Sequence, residues 1–297
     1  TVVITNPPTN PTVTTDKGSL TNQQPKYTIT VGGTPAIGEI FYATVNGTIY
    51  SYSLPGVGSP SLSTRAASGL ATQINSAGNI TAAAVGAVIT VTGDVSGNYV
   101  SLSTSTSAGA GGTLGSQIIQ GHLILTLCQG DLAGNTTLTP SVVRPNNSNA
   151  AFSYTHAGVS STGATVVLET GAPNSSLLVV MASSVLSGAG TCSITFAVNV
   201  EVNAVTAGSL GLDQTICAGQ TPATITSLVA GTARVGATLT YEWHEDPSGG
   251  NNSYNAAAIV GATGATFTPS SLPSTSSFRR TAVSIYNLER CTITSTN

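Results

Sequence analysis

The chain has 297 residues, too many for one ordinary β-sandwich and suited to two or three domains of about 100 residues each. Lys, Arg, Asp and Glu make up only 6% of it, with eight cations and a formal net charge of -3. A nucleic-acid binder needs clustered cations to displace counterions, so that class is excluded. Mean hydropathy is positive, yet no apolar run approaches the ~18 residues of a spanning helix; the best, Leu177 to Ala182, is short and flanked by serines. Membrane insertion is therefore not expected. Polarity is carried by Thr, Ser and Asn, while 33 glycines and 14 prolines supply turns. This composition predicts an all-β fold.

In chain order, Thr1-Val-Val-Ile-Thr5 reads as a strand. It lacks a basic n-region and an initiator Met, which predicts a processed product or a segment of a longer chain. Asn6 to Thr12 is Pro-rich and reads, with the residues up to 26, as a semi-rigid linker. A β-rich module over 27–107 follows. Tyr27 to Val31 alternates, and Ile40 to Val45 and Thr48 to Leu54 flank Asn46-Gly47, a strong hairpin signal. One helix is expected next, capped by Ser61 or Ser63, with Ala66, Leu70 and Ile74 on one face. Strands over Ile80 to Ala84, Val88 to Thr92 and Tyr99 to Ser103 complete the module, and Thr104 to Gly112 reads as a Ser/Thr/Ala/Gly linker. Asn46-Gly47, Leu70-Ala-Thr-Gln-Ile-Asn75 and Thr92-Gly93 resemble a small module of phage-tail and bacterial surface proteins.

Residues 108–206 read as a sandwich, with strands Ile118 to Leu127, Ala151 to Tyr154, Ala164 to Leu168, Ser176 to Met181 and Thr191 to Val202. The four cysteines, Cys128, Cys192, Cys217 and Cys291, form no Cys-x-x-Cys and have no His at ligand spacing. Two long-range disulfides paired in sequence order, Cys128–Cys192 and Cys217–Cys291, are the natural reading, with four buried free thiols as the alternative. Each such bridge would contribute about 4 kcal/mol in the chain-entropy model and implies an oxidising compartment.

The third module, 207–297, contains Gln214-Thr-Ile-Cys-Ala-Gly-Gln-Thr-Pro222, Leu239-Thr-Tyr-Glu-Trp243, Ile259-Val-Gly-Ala-Thr263, Thr266-Phe-Thr-Pro-Ser-Ser-Leu272, Arg279-Arg280 and Cys291 in that order. It resembles the Ig-like, PKD-like repeat of giant Bacteroidetes cell-surface adhesins of the gliding type. Phe267 and Phe278 stand where Tyr is commoner. The resemblance implies tandem Ig-like sandwich modules, with Trp243 in the core beside a Cys217–Cys291 bridge. It also implies export, display at the cell surface and a role in attachment. In the family a further strand follows the last Cys. Thr1–Thr5 matches that strand and predicts continuity with neighbouring repeats or subunits of a filament.

Catalysis is not expected. There is no Gly-x-Ser-x-Gly elbow, and His122, His156 and His244 are widely separated. Glu242, Glu245 and Asp246, the only acidic cluster, read as a solvated hairpin end, with Glu242 facing solvent. Arg279-Arg280 reads as one inward-packed stem and one surface charge. No cofactor is expected; calcium is the one candidate, near Asp16, Asp131 or Asp213, each of which stands alone. Two other functions compete with an adhesive rod. One is a carbohydrate-binding module, for which Tyr50 and Tyr52 would form an aromatic platform; the other is a phage structural protein. The extracellular surface or glycan ligand is not legible.

Overall fold

Asn46 and Gly47 both hold positive φ, 50° and 80°, as a tight hairpin with the right-handed twist of its strands requires. They close β4 (Ile40–Val45) on β5 (Thr48–Ser53), with Val45 opposite Thr48. A computed structural model of the chain describes residues 9–56, 60–76, 78, 80–94, 100–107, 109, 111–133, 136–143, 149–156, 159–168, 175–185, 191–249 and 253–295. Thr1–Thr5 lies outside the described residues. The chain divides into two compact units, residues 1–125 with 135–201, and residues 126–134 with 202–297. The fold is all-β, strands dominating both units.

The first unit begins with β1 (Thr9–Thr15), β2 (Ser19–Asn22) and β3 (Lys26–Gly33), before β4 and β5. Next come α1 (Leu62–Asn75), β6 (Thr81–Val85), β7 (Val88–Thr92), β8 (Leu102–Thr106) and β9 (Gly112–Gln120). The helix starts where Ser61 accepts the Thr64 N–H. It ends where the Asn75 side-chain amide bonds both ways to the Ala82 backbone, at 2.6 and 2.7 Å. Ala66, Ala67, Leu70, Ala71 and Ile74 are buried against Ile29, Phe41 and Ile89 from the sheets β6-β7-β3-β9 and β5-β4-β8. β8 and β9 occupy the stretch expected to be a linker and the start of the next module. Gly112 is pinned by its N–H to the buried Glu39 carboxylate, at 2.9 and 3.2 Å, and β9 extends the sheet of β3 from Gly33↔Gly112 to Lys26↔Gln120.

The expected strand from Ile118 to Leu127 is interrupted at Gly121. A Cβ there would lie 2.0 Å from the Ala197 carbonyl oxygen, so only glycine permits this approach. The chain continues as β10 (Leu123–Cys128), the short helix α2 (Gln129–Ala133) and β11 (Thr136–Val143). β12 (Asn149–His156), β13 (Val159–Thr162), β14 (Val166–Leu168), β15 (Ser175–Val185) and β16 (Thr191–Asn203) follow. They build a three-stranded sheet, β1-β11-β14, and a six-stranded sheet, β13-β12-β15-β16-β10-β2. Alternation sets the buried face: Leu178, Val180 and Ala182 lie opposite Val198, Phe196 and Ile194. Leu138 and Val142 on β11 and Val166 and Leu168 on β14 are buried as well.

Thr9–Thr15 and Ser19–Asn22 are therefore strands of this sandwich, which corrects the reading of the residues after Thr5, up to 26, as a linker. Proline is tolerated because β1 is an edge strand and Pro11 falls at its register shift, between Thr9 and Thr12. Pro140 on β11 lies beyond the stretch paired to β14, which ends at Leu138, so its missing N–H costs no ladder bond on that side.

The second unit holds β17 (Val205–Thr206), β18 (Ser209–Leu210), β19 (Ser227–Val229), β20 (Thr232–Ala233), β21 (Thr238–Asp246), β22 (Ser277–Tyr286) and β23 (Glu289–Thr294). Its main sheet is β21-β22-β23, and the pairs β17-β20 and β18-β19 form beside it.

Candidate functional site: a cross-linked β-domain

Cys291 sits on β23 opposite Ser284 and is buried with Val205, Tyr241 and Ala282. Cys128, the last residue of β10, packs against the same cluster, and the two sulfurs form a disulfide spanning 163 positions. This corrects the expected pairing: Cys128 bonds to Cys291, not Cys192, and Cys217 is a free, exposed thiol. Cys192 lies on β16 opposite Ser184, and its side chain lies outside the described residues. Cys217 is held away from Cys291 by its own loop. There Gly219 donates to the Leu272 carbonyl at 2.7 Å, Leu272 to Gln220 at 3.1 Å, and Gln214 bonds both ways to Ala223. Polar bonds seat the bridge. The Cys128 N–H donates to Asp131 at 2.8 Å. Asn203 donates to the carbonyls of Ser284 and Glu289, both at 3.1 Å, and accepts the Ser284 hydroxyl at 2.6 Å. Asn287, in the left-handed β22–β23 turn, donates to the Thr126 hydroxyl at 3.3 Å.

Arg280 organises the rest of this unit's core. Its guanidinium is wholly buried, donating to the carbonyls of Ala207 at 2.8 Å and Ala265 at 2.6 Å and to the Ser227 hydroxyl. The head lies 4.5 Å from the Tyr241 ring centre and 5.8 Å from that of Trp243. Burial lowers its pKa, with Tyr241 opposing. Trp243 is fully buried, donates to the Gly264 carbonyl at 2.9 Å and stacks on Phe267 at 5.4 Å, which in turn meets Phe278 at 5.7 Å. Arg279 covers the Tyr254 ring at 4.5 Å. Two adjacent arginines thus point to opposite faces of β22, as strand alternation demands, and the inner one buries its charge as well as its stem.

The structure does not unite the acids weighed for calcium. Asp16 accepts the Thr137 N–H at 2.7 Å and Asp131 that of Cys128, while Asp213 is exposed. Among the described residues, the donor atoms that meet are those of Cys128, Glu289 and Cys291; oxidised sulfurs offer no thiolate, so this trio does not fit a metal. The solvated-hairpin reading of Glu242, Glu245 and Asp246 needs correction at Asp246. It is fully buried and accepts from Ser248 N, Ser248 Oγ and Ser253 N at 3.0, 2.5 and 3.1 Å, closing the turn that holds Pro247 and Gly249. Glu242 is half-exposed and pairs with Arg290 at 2.7 Å.

Of the histidines, His156 makes a 2.7 Å bond between Nε2 and the Ser176 hydroxyl, and burial lowers its pKa. A Ser–His contact is the start of a nucleophile, but its ring needs an orienting partner, and no acid bonds to it among the described contacts. His122 is buried edge-on to Phe196 at 5.9 Å. His244 Nδ1 meets the Asn255 carbonyl at 2.9 Å. Tyr50 and Tyr52 both pack half-buried on the first unit's core. Tyr52 edges a groove of about 470 Å³ along α1, with Arg65, Ser68, Gly69, Thr72 and Gln73. The helix side of the Tyr52 ring is occupied, since a Cβ on Gly69 would lie 2.1 Å from it. Sequence alone could not find this groove, because β5 and α1 meet there only through the fold.

Residues 206–297 match a family described as Domain of unknown function (DUF8696). No curated protein matches the chain. Among solved structures, three N-terminal domains of the Highly Immunogenic Outer Capsid protein of bacteriophage RB49 are similar at 12% identity, covering 97% of each chain, with a TM-score of 0.38. A Ca2+-stabilized adhesin that helps an Antarctic bacterium reach out and bind ice is similar at 14% identity, over 96% of this chain and 72% of that one, with a TM-score of 0.27. A stretch of titin domains is similar at 10% identity, over 96% of both, with a TM-score of 0.31. At TM-scores below 0.5 these likenesses carry no functional argument.

Proposed function

We propose that this chain is a structural and adhesive segment of a long extracellular repeat protein or filament. It is displayed at a cell surface, has no catalytic role, and serves attachment, including attachment during gliding. The observation that carries the reading is the Cys128–Cys291 bridge, whose Cys291 end is buried and whose Cys128 end is half-buried. A disulfide of that kind belongs to an oxidising compartment, and it cross-links a chain whose polar surface is hydroxyl and amide instead of charge. The motifs between Gln214 and Cys291 support the Bacteroidetes assignment. Electron microscopy of the native material tests this: thin fibres with a regular axial repeat are expected, and discrete particles would overturn it.

A second reading is favoured by the groove along α1. Its hydroxyl and amide lining with one Tyr edge suits a saccharide, which would make the first unit a carbohydrate-binding module. Glycan binding that is lost in Ser68→Trp, which fills the groove, would favour it. No glycan retained at millimolar concentration would remove it.

A further inference from the structure

The disulfide divides the chain into a part that can carry end-to-end tension and a part that cannot. Cys128 and Cys291 are 163 positions apart in sequence but 5.4 Å apart between Cα atoms. Tension entering at the N-terminus runs along the backbone to Cys128, the end of β10. There the covalent path of least length crosses the two sulfurs to Cys291 on β23 and leaves through the last few residues. Everything from Gln129 to Arg290 lies inside the closed loop. That includes α2 and β11 to β22, hence the Arg280–Trp243 core and the long strands β15 and β16. A non-covalent sheet yields under load by breaking hydrogen bonds, whereas this crossing is a covalent bond.

We infer that the Cys128–Cys291 bridge is an extension limiter: under tension it confines extension to the first 128 residues and the short segment after Cys291. Of 297 residues, removing the 163 within the bridged span leaves about 134 that can be drawn out. At roughly 3.3–3.6 Å per residue this is about 440–480 Å, against roughly 980–1070 Å for the unbridged chain. The limiter gives a surface rod a maximum length that its folding stability does not set. Its biological use rests on the tension-bearing role proposed above, but its physical existence does not.

The experiment is single-molecule force extension of the full chain held by handles at its two ends. The oxidised chain is expected to reach a plateau near the shorter length. Adding a dithiol to the tethered molecule transfers two electrons and two protons to the sulfurs, leaving two thiols and an oxidised, cyclic reductant. The plateau is then expected to lengthen about 2.2-fold. Cys291→Ser should show the longer length without reductant, and Cys217→Ser, which removes only the free thiol, should behave as the oxidised parent. Because reduction is done on a molecule already folded and tethered, a variant that fails to fold does not obscure the result. An oxidised chain that extends fully, or a length unmoved by the dithiol, overturns the limiter. Native material seen as discrete particles, with the length change intact, would instead overturn the rod alone.

Discussion

At Arg280 a charge is buried without a carboxylate partner among its hydrogen bonds; two carbonyls and a hydroxyl receive it instead, under the faces of Tyr241 and Trp243. Lysine has no planar fork and cannot reach these acceptors and stack at once. Arg280→Lys is therefore expected to cost about 2–4 kcal/mol, because carbonyls are left unpaired in the core; urea unfolding measures it, and a loss below about 0.5 kcal/mol would reject this account. His122 is the second residue whose environment sets a measurable property. Burial lowers its pKa to about 4, with the bond to the Pro11 carbonyl opposing the shift. The unfolded chain thus takes up its proton near the ordinary value of 6.5, while the folded chain does so only near 4. Stability from the neutral ring is complete above pH 6.5 and lost as pH falls toward 4. His156 is shifted in the same direction. In His122→Gln, about 2 kcal/mol of the stability lost between pH 7 and pH 4.5 should disappear. An unchanged pH profile would show that His122 titrates normally.

Among the elements, α1 illustrates how a locally unfavourable residue can be required. Gly69 lies in the middle of a 14-residue helix, where alanine is intrinsically better by about 1 kcal/mol. The added Cβ would sit 2.1 Å from the Tyr52 ring on β5, so overpacking should win. Gly69→Ala is expected to lose about 1–3 kcal/mol net. Combining it with Tyr52→Ala should recover part of that loss through a coupling of about 1 kcal/mol or more in a double-mutant cycle. Additive losses would mean that the ring and the helix do not meet. The helix itself was legible from its Ser61 cap and its Ala66, Leu70, Ile74 face, because those signals are local. β1 was not legible. Pro7, Pro8 and Pro11 are the residues of a linker, and only the pairing with β11, at an edge and a register shift, turns Thr9–Thr15 into a strand.

For the whole molecule, the long closed loop dominates. In the chain-entropy model a crosslink spanning 163 positions is worth about 5 kcal/mol. Reduction of the folded chain should therefore lower the unfolding midpoint of residues 202–295 first, read by the fluorescence of Trp243, the chain's single tryptophan. A midpoint unmoved by reduction would place the stabilisation elsewhere. The bridge also explains why unit boundaries resist reading from sequence. The segment 126–134 folds with residues far beyond it, so a composition shift near Gly112 does not mark a domain edge. Only contacts distant in sequence locate it.

What the amino-acid sequence determined by itself is whatever short-range physics controls: the all-β class from β-branched residues, the Asn46-Gly47 hairpin from positive φ, the helix from its cap and period, the alternation of β16, and the inward Trp243. These depend on a residue and its neighbours within about four positions, and the chain carries that information directly. The tertiary structure alone decided the partner of Cys291, the burial of Asp246, the full enclosure of Arg280 and the recruitment of Thr9–Thr15 and β9 into their sheets. Each is a meeting of segments tens to hundreds of positions apart. Residue type says that a sulfur, a charge or an open edge needs a partner; only the path of the backbone brings one within bonding distance.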